Sequence, residues 1–151
     1  MKQMLTLPAL LIALISAPAL AQTTVKDAWV RGTVAQQMAT GAFMQITSAS
    51  GGKLLSVSSP AAGVVEIHEM KMTGSTMQMR ALPGGLDLPA GKPVDLKPGG
   101  YHVMLMDLKG ALKTGSAVTL TLVIEASNGQ KETLVVKAPV KALGGMAEHK
   151  H

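Results

Sequence analysis

The sequence predicts an all-β chain folded as a single antiparallel β-sandwich. Short runs in which apolar and polar residues alternate recur along it, cut by Gly, Pro, Ser and Asn. No stretch after residue 22 holds a 3.6-residue apolar period over eleven or more residues, and no internal repeat is visible. Many short strands at even spacing are the mark of sandwiches and barrels. A length of 151 residues corresponds to one domain.

The first 21 residues stand apart from this pattern. Lys2 gives a short positive start, Leu5 to Ile15 an apolar stretch, and Ala19-Leu20-Ala21 the small-x-small signature of a cleavage site. Pro8 and Pro18 interrupt the run, which falls short of the about 20 unbroken apolar residues that span a bilayer. The expectation is a secretory signal cleaved after Ala21, with no stable membrane insertion and, since the chain has no Cys, no lipid anchor. A domain over 22–143 and a flexible Gly-led tail over 144–151 complete the predicted organisation.

Within the domain the expected strands are Val25–Val30, Gly41–Thr47, Leu54–Ser58, Val64–Met72, Thr76–Leu82, Val94–Leu96, Tyr101–Met106, Ala117–Glu125 and Glu132–Lys137. The run Thr119 to Ile124 is β-branched and long enough for a central strand. Thr73-Gly74-Ser75 and Ser127-Asn128-Gly129 supply hairpin turns, where Gly and Asn accept positive φ at low cost.

Composition removes several function classes. Without Cys there is no disulfide framework, no zinc-finger spacing, no thiol catalysis and no thiolate-based copper centre for electron transfer. Three aromatic residues leave no stacking platform for single-stranded nucleic acid. The net charge of +5 comes from basic residues scattered singly, without the stripe that tracks a phosphate backbone. Among the acids Glu66, Glu69, Asp87, Asp95 and Asp107, none is tied to a nucleophile motif, so an enzyme is not expected.

Methionine is where the chain is unusual. Of its 11 Met, six fall between residues 68 and 106, the same window that holds His68 and His102. Strand alternation places His68, Met70 and Met72 on one face, Met77 and Met79 on one face, and His102, Met104 and Met106 on one face. If the hairpin Val64–Leu82 lay beside Tyr101–Met106, then His68, Met79, His102 and Met104 would come within reach of one ion. Two imidazoles and two thioethers make a soft, neutral donor set that selects Cu(I) over Zn(II), Mg(II) or Ca(II). The plainer alternative is that each Met is core filler, since the flexible thioether fits irregular gaps, and that each His is structural. What favours a site is His-x-Met-x-Met occurring twice in one exported, Cys-free chain.

The stretches Ile67-His68-Glu69-Met70-Lys71-Met72, Met77-Gln78-Met79-Arg80 and Pro98-Gly99-Gly100-Tyr101-His102-Val103-Met104-Leu105-Met106 resemble the PCuAC periplasmic copper chaperones. That family's pattern is a His, ten residues, a Met, about twenty-one residues, then His-x-Met. Here ten residues separate His68 from Met79 and twenty-two separate Met79 from His102, the extra one fitting the Pro83-Gly84-Gly85 turn. The resemblance implies a cupredoxin-like Greek-key sandwich that is monomeric and periplasmic. It also implies Cu(I) held by His68, Met79, His102 and Met104 and handed to a copper-acceptor protein, the copper site of cytochrome c oxidase or its assembly factor. Met70, Met72, Met77 and Met106 would then be packing neighbours, alternative ligands or a soft lining. Met146, His149 and His151 form a second, tail cluster suited to Cu(II) as well as Cu(I), with an ordinary solvated terminus as the alternative. Copper storage and a metal-free structural sandwich are the competing functions.

Overall fold

The computed structural model describes residues 22–142. The expected signal peptide and the Met146, His149, His151 cluster lie outside these residues. Ten strands make up all the regular structure described, and no helix is present among the described residues. They are β1 (Thr23–Arg31), β2 (Ala39–Ser48), β3 (Gly52–Ser58), β4 (Ala62–Thr73), β5 (Thr76–Ala81), β6 (Leu86–Leu88), β7 (Val94–Leu96), β8 (His102–Leu108), β9 (Ala117–Ala126) and β10 (Lys131–Lys141).

Hydrogen-bonded neighbours run in the order β5-β4-β8-β2-β1-β10-β9-β3-β6, with β7 also pairing β2. Every ladder is antiparallel except the short β1–β10 contact, where Val30 meets Val140 and Arg31 meets Lys141 in parallel. That contact joins the two layers. Val30, Ile46, Val103 and Leu105 of one layer and Leu54, Leu120, Leu122 and Ile124 of the other form a single core from which solvent is almost wholly excluded. Burying such side chains stabilises by about 1.5–3 kcal/mol each relative to leaving them exposed. The core supplies the fold's stability without any disulfide.

All nine expected strands are present, and β6 is added. Leu86 and Leu88 point into the core, and β6 pairs with Gly52–Leu54 of β3. β10 also runs further than the alternation predicts, through Pro139 to Lys141. Pro139 sits opposite Ala117, the last paired position of the β9–β10 ladder, where a missing amide is tolerated.

Two local features aim side chains at the outer face of the β4–β8–β2 layer. β1 carries one extra residue between Lys26 and Trp29, with Asp27 at φ 55°. This bulge switches the pleat, so Val30 turns into the core while Trp29 lies outward, opposite Phe43. Further along, β7 and β8 lie end to end on the same edge of β2. β7 pairs Met44–Ile46 and β8 pairs Ala39–Ala42. The connection between them, Lys97 to Tyr101, is closed by backbone bonds from Lys97 to Tyr101 and from Gly100 to Lys97. It delivers His102 to the start of β8 beside the Gly100 carbonyl.

Candidate metal centre

β4 is the strand on which the histidines meet. It pairs with β8 so that His68 lies directly opposite His102, and with β5 so that Met70 lies opposite Met79 and Met72 opposite Met77. Directly opposed residues share a face. That face, turned away from the core, therefore carries both histidines and the methionines, as alternation predicts. The imidazole centroids are 5.6 Å apart, edge to face.

Met79, His102 and Met104 line one open cavity of about 370 Å³, together with Met70, Arg31, Gly41 and Phe43. His102 Nδ1 donates to the Gly100 carbonyl at 3.1 Å, and its Nε2 lies 3.1 Å from Met79 Sδ. A carbonyl only accepts, so the proton of the neutral ring is on Nδ1 and Nε2 presents a lone pair to the thioether sulfur. Two lone-pair donors thus face each other with no proton between them, the complement of a soft cation. Burial is the main influence on His102 and pushes its pKa below 6.5. The Gly100 bond opposes that shift, while His68 and Arg31 add to it. The ring is therefore neutral at pH 7, as a ligand must be.

His68 stands beside this cavity but outside its lining. Its Nε2 is bonded to Glu66 Oε2 at 2.8 Å, and its Nδ1 is buried without any partner. Since a carboxylate accepts, Nε2 carries the proton and Nδ1 keeps an unsatisfied lone pair. Metal-ligating histidines commonly donate their other nitrogen to a carboxylate in this way. The donor set thus fits a soft ion, with one orphaned nitrogen on His68 and one facing a sulfur on His102. Among the described residues no three His, Cys, Asp or Glu side chains converge on a metal, so any centre here must draw on thioethers.

Sequence reasoning missed the floor of the cavity. The Phe43 ring folds back over Gly41, where a Cβ would fall 2.8 Å from Cζ. It stacks on Trp29 at 4.7 Å and lies 6.4 Å from His102. The Arg31 guanidinium stands over the same ring, 5.4 Å from its centroid. Gly41 and Phe43 are two apart and so share a face, but only the register of β2 against β8 tells which face that is. Glu66 reads in the sequence as an acid without a motif, although its place two residues before His68 puts both on one face.

A family model described as "Putative lipoprotein LpqE-like" matches residues 23–140. The chain belongs to the LpqE-like family. A relative from Leifsonia xyli subsp. xyli, "Putative lipoprotein Lxx21020", is 34% identical over 127 residues, covering 83% of this chain and 73% of its own. Among solved structures, the apo PCuAC domain of PmoF1 aligns with a TM-score of 0.64 at 22% identity, covering 83% of this chain and 98% of that domain. At that identity the likeness is one of fold. DR1885 of Deinococcus radiodurans is similar in its apo form, with a TM-score of 0.60, 32% identity and coverage of 96% of this chain and 93% of that one. Its CuI form aligns with a TM-score of 0.57 at 34% identity, covering 83% and 81%. The PCuAC resemblance carried by the His/Met motif is borne out, and with it the cupredoxin-like β fold. The family's description is of lipoproteins, whereas this LpqE-like sequence contains no Cys.

Proposed function

We propose that this LpqE-like protein is a Cu(I) chaperone of the periplasm, exported with cleavage after Ala21, that delivers copper to cytochrome c oxidase assembly. The observation that carries the reading is the His102 Nε2 lone pair facing Met79 Sδ at 3.1 Å in a cavity also lined by Met104. The CuI form of DR1885, 34% identical to this chain, supports it. The leader-like start and a family described as lipoproteins support export.

In this reading His68, Met79, His102 and Met104 are the ligands. The set carries no charge, and the nearest fixed charge lining the cavity is the Arg31 cation. The Arg31 cation is offset by the Glu66 carboxylate bonded to His68, so the preference for Cu(I) rests on the softness of the donors. Release follows from the same chemistry. An acceptor's thiolates displace imidazole and thioether one at a time, since thiolate is the stronger soft donor. Each step exchanges one metal–ligand bond for another, and copper stays Cu(I) throughout.

The test is a Cu(I) titration under reducing conditions, competed by a chromophoric Cu(I) chelator. One equivalent should bind, and a Met79→Leu, His102→Ala variant should lose at least tenfold in affinity, the scale at which one disrupted ligand sphere is felt. Equal affinity in variant and parent would overturn the assignment. Transfer of the bound copper to an apo oxidase copper domain separates delivery from storage, for which the protein would retain its ion.

A further inference from the structure

The β4–β5 hairpin has two faces of opposite chemistry. The positions that continue the core-side face of Ile67, namely Glu69, Lys71, Gln78 and Arg80, are all polar, with Glu69 and Arg80 ion-paired. The other face carries Met70, Met72, Met77 and Met79 and, along that stretch, nothing else. The loop is only Gly74-Ser75, so Thr73 and Thr76 form the closing hydrogen-bonded pair. Met72–Met77 and Met70–Met79 then fall at non-hydrogen-bonded positions, where opposed side chains stand closest.

Core packing does not account for the outer pair. Met72 is 60% exposed and Met77 46%, and no residue of β5 is buried. An ordinary strand face left open to water would carry Thr, Lys or Gln, as the opposite face of this hairpin does. The open positions are instead filled by thioethers aligned with Met79 and His102. Met has three rotatable bonds, so two sulfurs from opposed Cβ atoms about 4.5–5.5 Å apart can close on one ion.

We propose that Met72 and Met77 form a second, outer site for a soft monovalent ion, a solvent-exposed station through which cargo reaches and leaves the cavity at Met79 and His102. It rests on the Cu(I) reading of the inner centre. The Met72–Met77 pair lies about 7 Å from the Met70–Met79 pair, the distance of two residues along a strand, and Met70 and Met79 both line the cavity. An ion bound at Met72 and Met77 passes inward by exchanging one thioether for another. It changes no oxidation state and is never left without a sulfur ligand.

The experiment uses the intact chain with methyl-labelled Met and Ag(I) as a redox-inert soft probe. The first equivalent should move the Met79 and Met104 methyl resonances, and further Ag(I) should move those of Met72 and Met77 together. A Met72→Leu, Met77→Leu variant keeps the apolar volume. It should bind the first equivalent of Cu(I) within about twofold of the parent but exchange it with a small chelator about tenfold more slowly, since a ligand step is lost. Unmoved Met72 and Met77 methyls beside shifted Met79 and Met104 would overturn the outer site and leave the inner one standing. Slowed transfer to a protein acceptor with unchanged chelator exchange would likewise overturn it, marking the face as a protein-docking surface. If no Met methyl moves, the inner reading itself fails.

Discussion

At the scale of single residues the decisive group is one the sequence leaves unassigned. Glu66 faces the same way as His68 and accepts the hydrogen bond from its Nε2–H, so the buried Nδ1 is left bare. A carboxylate in that position fixes the tautomer and raises the basicity of the ligating nitrogen. Glu66→Ala should therefore weaken Cu(I) binding by roughly tenfold, within the range for lost outer-shell partners of metal-bound His. Competition titration measures it, and thermal unfolding of the apo protein checks that the fold is intact. A gain in affinity would reverse the assignment, because it would mean that the carboxylate competes with copper for Nε2. The pair's spacing was legible from alternation alone. That the two side chains would hydrogen-bond was not, because alternation sets the shared face but not the rotamers that bring Oε2 to Nε2.

At the scale of elements, β5 depends on its turn more than any other strand does. It buries nothing, so its ladder to β4 and the Gly74-Ser75 loop are what hold Met79 at His102. Gly74 has φ 63° while Ser75 does not take a positive φ, as in a turn whose first central residue is glycine. A β-branched side chain in that conformation costs about 1–2 kcal/mol. Gly74→Val should raise amide exchange across β5 by roughly tenfold, since that cost is applied to the hairpin and not to the core. Cu(I) affinity should fall with it, although residue 74 touches no ligand. Unaltered exchange in β5 would show that something else anchors the strand. This hairpin was readable because its turn and its alternation agree. β6 was not, because three residues, Leu86 to Leu88, are too few for a period and pair with distant β3. The bulge at Asp27 was equally silent. It appears only as Val25 and Val30 both facing inward at odd spacing.

For the whole molecule, the core and the candidate centre lie on opposite faces of one layer. Val103 and Leu105 point into the core while His102 and Met104 point out of it, so the fold and the site share a backbone but not side chains. The arrangement that brings β8 between β4 and β2, and β1 against β10 in parallel, is made of non-local pairings that no local pattern encodes. This is why the shared face of the His and Met residues was legible and the placing of Arg31 and Phe43 was not. The separation has a thermodynamic consequence. A Met79→Leu, Met104→Leu variant removes two thioethers that are exposed or half-buried, at conserved volume, so the apo protein should unfold within about 2 °C of the parent, as surface substitutions do. If the proposed ligands hold copper, the parent should bind it only when folded, because the donors converge only when β4, β5 and β8 are in register. Free Cu(I) at a hundredfold excess over its dissociation constant should then add about 2.7 kcal/mol to the parent, a rise in Tm on the order of ten degrees. The variant should lose most of that rise. Calorimetry of the four samples, each protein with and without Cu(I) under reducing conditions, decides the matter. A variant that melts early without copper would place the thioethers in the stabilising core. A variant that keeps the full copper-dependent rise would mean the ion is held by other groups.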